Sequence, residues 1–90
     1  MGYKGLITLD LPNAKDENRQ KFYDFLERNN WRKLDNLTTA WEVSFEKDIT
    51  RLEAIKILKS ELIEAKKESK INNYKFAIQL GKAEIEIYND

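Results

Sequence analysis

The chain has 90 residues, of which 41% are hydrophobic and 36% charged, and this balance predicts one soluble globular domain over residues 1–90. Its 16 basic and 16 acidic residues cancel, so no overall field would attract nucleic acid or a membrane. The lack of cysteine and histidine excludes disulfides, thiolate nucleophiles and imidazole catalysis, and a bound metal would be a hard ion such as Mg²⁺. No apolar run is long enough for a signal peptide or a membrane span, which predicts a cytoplasmic location without a membrane partner.

The first predicted strand covers residues 4–11 and stops at Pro12, which cannot donate to a strand ladder. Asp10 lies near the C-terminal end of this predicted strand. A helix is predicted next, with Asn13 as its N-cap and an end near Asn30, because asparagine suits both helix caps.

Two strands are predicted after this helix, over residues 31–34 and 38–46, with a turn at Asp35 and Asn36 between them. In the longer strand, apolar residues alternate with polar ones, so one face is buried and the other is wet. This alternation is typical of an antiparallel sheet with helices on one side. The apolar residues are Trp41, Val43 and Phe45.

The second helix begins with a capping-box pattern, in which Thr50 is the N-cap and Glu53 reaches back to it. It is predicted to run to about Ser69. Its large aliphatic residues recur at helical spacing and form the predicted core stripe. These residues are Leu52, Ile55, Leu58, Leu62 and Ile63. Lysines near its end suit the negative helix terminus, with phosphate binding left open as a second role.

A strand over residues 74–80 completes the predicted order of strand, helix, strand, strand, helix, strand. That order predicts a ferredoxin-like βαββαβ sandwich, an α+β fold with an antiparallel sheet and two helices on one face. A short extra C-terminal strand is predicted over residues 83–88, which contains Ile85, Ile87 and Tyr88. It would form a hairpin at an edge or extend onto a second protomer, and the sequence leaves both open.

Three segments carry a resemblance to known proteins. They are the strand end Ile7-Thr8-Leu9-Asp10, the charged first helix with Arg19, Lys21, Phe22, Phe25 and Leu26, and the entry Trp31-Arg32-Lys33-Leu34 to the second strand. In these segments, and in the extra strand, the chain resembles a group of very small ferredoxin-like proteins. The group includes CRISPR-associated spacer-acquisition nuclease-like proteins, virulence-associated protein D toxins and type V antitoxin endoribonucleases.

This resemblance implies a homodimer in which the extra strand completes the partner's sheet, with Ile85, Ile87 and Tyr88 at the interface. It also implies that Asp10 from two protomers shares a divalent metal such as Mg²⁺ and is catalytic. Read from the residues alone, Asp10 simply ends a strand and caps a turn.

The densest basic and aromatic cluster consists of Arg28, Trp31, Arg32 and Lys33. Arginine binds phosphate and an indole stacks on unpaired bases, so this cluster is the candidate RNA-binding site. In the alternative, Trp31 fills the core and the cations are merely solvated.

Three functions follow from these features. The first is a small homodimeric regulatory protein of toxin–antitoxin or mobile-element type that contacts protein or RNA. The second is a weak Mg²⁺-dependent endoribonuclease that uses Asp10 from two protomers. The third is an inhibitor or adaptor encoded by a phage or plasmid. The sequence does not specify the substrate, the partner or the pathway.

Overall fold

The computed structural model describes residues 2–34, 40–46, 48–83 and 85–86, and it has an α+β fold with a four-stranded antiparallel sheet and two helices. The elements in chain order are β1 (Lys4–Asp10), α1 (Asp16–Arg28), β2 (Arg32–Lys33), β3 (Ala40–Ser44), α2 (Arg51–Ser69) and β4 (Lys75–Gly81). The predicted ferredoxin-like class is confirmed. Among the described residues, no helix is long and apolar enough to cross a membrane.

The sheet has the strand order β2-β3-β1-β4, so β1 lies in the middle and pairs with both β3 and β4. Ile7 stands opposite Trp41 on one side and Ile78 on the other. At the two edges the strands differ in length, because β4 has seven residues and β2 has two. The sheet therefore has one long edge and one short edge.

The two faces of the sheet differ because side chains alternate along each strand. Ile7 and Leu9 point to the helices and are buried together with Trp41. Leu6, Thr8 and Asp10 have the opposite parity and lie on the face that α1 and α2 leave open. Asp10 is exposed on that open face, at the end of β1.

The start of α1 differs from the prediction. Asn13 has φ 60°, a left-handed conformation, and the N-cap is Lys15, whose side chain makes no cap hydrogen bond. The reason is a tight turn after Pro12, in which the Ala14 N–H donates to the Leu11 carbonyl at 3.3 Å. Asparagine suits this left-handed turn as well as an N-cap. At the other end the prediction holds, since Asn30 has φ 69° just beyond the helix.

Both halves of the predicted capping box are present in α2, and hydrogen bonds from the Thr50 backbone and side chain lower the pKa of the Glu53 carboxyl. Part of the predicted core stripe is wrong, because Leu52 is 64% exposed and Ile63 is 46% exposed. The residues of α2 that face the core are two leucines, Leu58 and Leu62, and three small residues, Ala54, Ala65 and Ser69.

The small residues on the buried face of α2 suit its close packing against α1, the element that it contacts most extensively. Gly5 of β1 lies under α2, and a Cβ built there would be 3.6 Å from Leu58 Cδ1. This is an ordinary van der Waals distance, so the large side chain of Leu58 packs over Gly5 without an unusually close approach of α2 to the sheet. Lys70, with φ 60°, is the left-handed C-cap, so α2 ends before the asparagines at 72 and 73.

The predicted turn at Asp35 and Asn36 and most of the predicted extra strand lie outside the described residues. Of residues 83–88, the structure describes Ala83, Ile85 and Glu86, and none of these three is in a strand. The pairing of this segment stays a prediction.

Candidate functional site

Asp10 lies where β1 ends, directly opposite Lys75 in the register with β4. Both side chains belong to the open face of the sheet, beside a shallow hollow of about 330 Å³ whose walls include Thr8, Phe76 and Ala77. The hollow is solvent-accessible and contains one carboxylate and one ammonium group among its described lining residues. Opposite charges at facing positions of two strands, as in Asp10 and Lys75, are more typical of a polar surface than of a binding cavity.

The side chains of one chain do not fit a Mg²⁺ ion at this place. No group of three or more acidic side chains that could hold a metal occurs within the described part of the chain. Asp10 offers a single carboxylate, and Lys75 brings a positive charge to the opposite register position. Magnesium is usually bound through one or two carboxylates plus waters and substrate phosphates, and a site with two carboxylates would need Asp10 from a second copy.

The basic and aromatic cluster predicted from the sequence is divided over several surfaces. Arg28 ends α1 and forms an ion pair with Glu68 of α2 at 3.0 Å. Arg32 lies on the open face of the sheet, opposite Glu42, and Lys33 lies on the helix side, opposite Trp41. These three cations therefore do not form one phosphate-binding surface.

Trp31 is buried at 2% exposure, which agrees with the alternative in which it fills the core and not with its role in a nucleic-acid interface. Its indole Nε1–H donates to Glu61 Oε1 at 3.4 Å. Because the ring belongs to the buried core cluster, it has no free face on which a base could stack. Burial raises the pKa of the Glu61 carboxyl, and the hydrogen bond from Trp31 partly offsets this effect.

Arg32 is already engaged by a partly buried carboxylate. Its Nε and Nη2 both donate to Glu42 Oε1, at 3.0 and 2.6 Å. Glu42 is 9% exposed within β3, so the pairing compensates for the removal of that charge from water. A phosphate contact by Arg32 would have to compete with this ion pair.

Tyr23 lies near two residues of different predicted sites, Asp10 and Lys33. Its ring is 5.5 Å from that of Trp41, and Lys33 Nζ lies 5.0 Å from its centroid. Burial raises the pKa of the Tyr23 phenol; nearby Arg19 lowers this pKa and Asp10 raises it. A phenol that holds its proton this firmly is a poor general base.

A further hollow lies at the C-terminal end of α2, where the sequence left phosphate binding by the lysines open as a second role, and it has a volume of about 430 Å³. We call it the lysine hollow and define it by three lysines and three apolar or aromatic residues. They are Lys66, Lys67, Lys70, Ile63, Ile71 and Tyr74. The signal in the sequence is a lysine cluster followed at once by an isoleucine and, three residues later, by a tyrosine.

Of the predicted dimer-interface residues, Ile85 is half-buried in the structure. Ile87 and Tyr88 lie outside the described residues. Their role in a dimer stays a prediction.

Comparison with known proteins shows the fold and no more. No protein-family model and no curated protein matches the chain. Among solved structures, it is similar to the hypothetical protein TT1823 from Thermus thermophilus, with a TM-score of 0.60 and 13% identity, over 99% of this chain and 93% of that one. It is also similar to protein SP2199 from Streptococcus pneumoniae, with a TM-score of 0.55 and 20% identity, over 94% of this chain and 90% of that one.

Proposed function

We propose that this chain is a small regulatory protein that works as a homodimer and acts by binding a protein or RNA partner. The observation that carries this proposal is the long outer edge of β4. Within the described residues, β4 pairs with β1 alone, and Phe76 on that edge strand is 36% exposed. An open strand edge is a template for pairing with another chain. The C-terminal segment with Ile85, Ile87 and Tyr88 is a candidate to cover it.

The biological setting of such a protein comes from the sequence alone. A toxin–antitoxin or mobile-element system, and a phage- or plasmid-encoded inhibitor, both remain hypotheses. Their common feature is action by contact, which agrees with the separation of the predicted catalytic and basic residues.

Ala77→Lys should weaken the dimer. Ala77 is exposed in the middle of β4, and a lysine on an edge strand opposes pairing by another strand. We expect the dimer dissociation constant to rise roughly threefold to tenfold, because like charges brought together across paired strands are destabilising. Light scattering over a concentration series measures the change.

Ser60→Lys is the matched control, since it adds the same charge on the exposed side of α2 and should leave the dimer unchanged. Removal of residues 83–90 should also weaken the dimer. A monomer mass for the unmodified chain at millimolar concentration would contradict the homodimer. An unchanged dimer mass after the removal would exclude the C-terminal segment from the interface.

The second candidate function is a weak Mg²⁺-dependent endoribonuclease, and the observation that favours it is the exposure of Asp10 at the end of β1. The site would be complete only in a dimer that brings two such carboxylates together. Asp10→Asn should then abolish RNA cleavage in the presence of magnesium or manganese, because the amide removes the anionic ligand.

Asp48→Asn is the control for this experiment, since Asp48 is an exposed aspartate that follows β3, near the opposite end of the sheet. Cleavage that persists unchanged in Asp10→Asn, or no cleavage by the unmodified chain with either metal, would rule out the nuclease.

A further inference from the structure

We propose that the lysine hollow is the docking site for an acidic peptide segment of a partner protein. One bulky apolar side chain of that segment would lie on the floor of the hollow, and its carboxylates would contact the lysines around it. This inference rests on the proposed binding function and names the chemistry of the partner. It does not depend on the homodimer.

The charge of the hollow is concentrated and largely unpaired. Lys66 and Lys70 form no ion pair among the described residues, and Lys67 Nζ approaches Glu64 at 3.9 Å, at the limit of an ion pair. None of the described residues that line the hollow is acidic. In a chain whose net charge is zero, this is a local excess of positive charge, which favours a partner rich in Asp and Glu.

The floor of the hollow is apolar. Of the residues that line it, Ile63 is 46% exposed, Ile71 is buried and Tyr74 is half-buried. A volume of about 430 Å³ accommodates a leucine or phenylalanine side chain. An apolar anchor surrounded by polar contacts that exclude water is the arrangement that concentrates binding energy in protein interfaces.

The aromatic contacts favour a peptide over single-stranded RNA. The Tyr74 ring is covered by Lys66 Nζ, 5.1 Å from its centroid, and its neighbours are Phe22 at 6.3 Å and Phe76 at 5.4 Å. A base would need an open ring face for stacking. The described lining also contains no arginine, the residue that binds phosphate through two parallel hydrogen bonds.

The test uses the full chain and a short fluorescein-labelled peptide in which a Leu-Phe pair lies between two Asp-Glu pairs. Fluorescence anisotropy measures its dissociation constant, and we expect saturable binding that weakens as salt is raised. The double variant Lys66→Gln with Lys67→Gln, and separately Ile63→Ser, should each weaken binding about tenfold, equivalent to about 1.4 kcal/mol.

Each variant has a matched control on the same helix. Lys56→Gln with Lys59→Gln removes the same charge away from the hollow, and Leu52→Ser removes an exposed aliphatic side chain at the far end of α2. Both controls should leave binding within about twofold of the unmodified chain. A basic version of the peptide, with lysines in place of Asp and Glu, should not bind. Circular dichroism confirms that every variant is folded.

Four results would overturn the proposal. They are no saturable binding of the acidic peptide, an equal loss in the controls, binding of a uridine oligonucleotide but not the peptide through the same lysines, and tighter binding of a peptide copy of residues 83–90 than of the probe. The last result would identify a second copy of this chain as the occupant. A monomeric chain that still binds the acidic peptide would contradict the homodimer and leave this inference intact.

Discussion

Glu61 is a carboxylate that the fold moves partly away from water and places beside the indole of Trp31. Burial raises its pKa above the ordinary value of 4.5. A carboxyl whose pKa is higher in the folded state than in the unfolded state supports the fold while it is protonated. That contribution is lost as the pH rises from about 4.5 through the folded-state pKa. The fold therefore accommodates the protonated form of Glu61 better than the ionised form.

Glu61→Gln should make the protein more stable relative to the unmodified chain as the pH rises. Glutamine keeps an acceptor for the Trp31 N–H and removes the buried charge. Urea unfolding at about pH 4 and about pH 7 measures the difference in unfolding free energy, which should be larger at the higher pH. Glu27→Gln, at an exposed position of α1, is the control and should show no such trend. A stability gain that shrinks with rising pH would contradict this account.

The two tryptophans show how much of a residue's burial and hydrogen bonding can be predicted from the sequence. Strand alternation correctly predicted that Trp41 is buried, since it is 0% exposed. It did not predict that its Nε1–H lacks an acceptor among the described residues, while the Nε1–H of Trp31 has Glu61. The acceptor Glu61 is thirty residues from Trp31 in sequence. A contact of this kind depends on the tertiary fold, which local sequence patterns do not specify.

The side of α2 that faces the core is the main finding at the scale of elements. Leu58 is wholly buried and Leu52 is 64% exposed, although both belong to the stripe predicted from the sequence. Leu58→Ala should therefore lower the unfolding free energy by about 2–5 kcal/mol, because it leaves a cavity. Leu52→Ala should change it by less than about 0.5 kcal/mol.

Thermal or urea unfolding of the two variants provides the comparison, with the same Leu→Ala change on one helix. Similar losses for Leu58→Ala and Leu52→Ala would show that the face of α2 is assigned wrongly.

The sequence predicted where the helices and strands begin and end better than it predicted which of their faces are buried. Alternation predicted β1, β3 and β4, and the capping box at Thr50 located the start of α2. The same chemistry failed at Asn13, because a left-handed turn and a helix cap both favour asparagine. The orientation of α2 was missed because large aliphatic residues were taken as core, whereas three of its buried positions hold the small residues Ala54, Ala65 and Ser69.

At the scale of the whole molecule, the element order was sufficient to predict the architecture. Helices and strands of these lengths in this order can form few compact arrangements. The observed strand order is the ferredoxin-like one. The solved neighbours at 13% and 20% identity show that very different sequences adopt it. Function could not be predicted in the same way, because one fold serves many functions. The predicted basic cluster separated in space, and the lysine hollow emerged from packing at the end of α2.

The unequal lengths of the outer strands limit how copies of this protein can assemble. Seven residues of β4 offer enough backbone donors and acceptors to hold a neighbour, and the two residues of β2 do not. If two molecules pair through their β4 edges, the two-residue β2 edges are the outward strand edges among the described residues, and they offer little backbone for pairing with a third molecule. Such pairing would end at a closed dimer and would oppose growth into fibres.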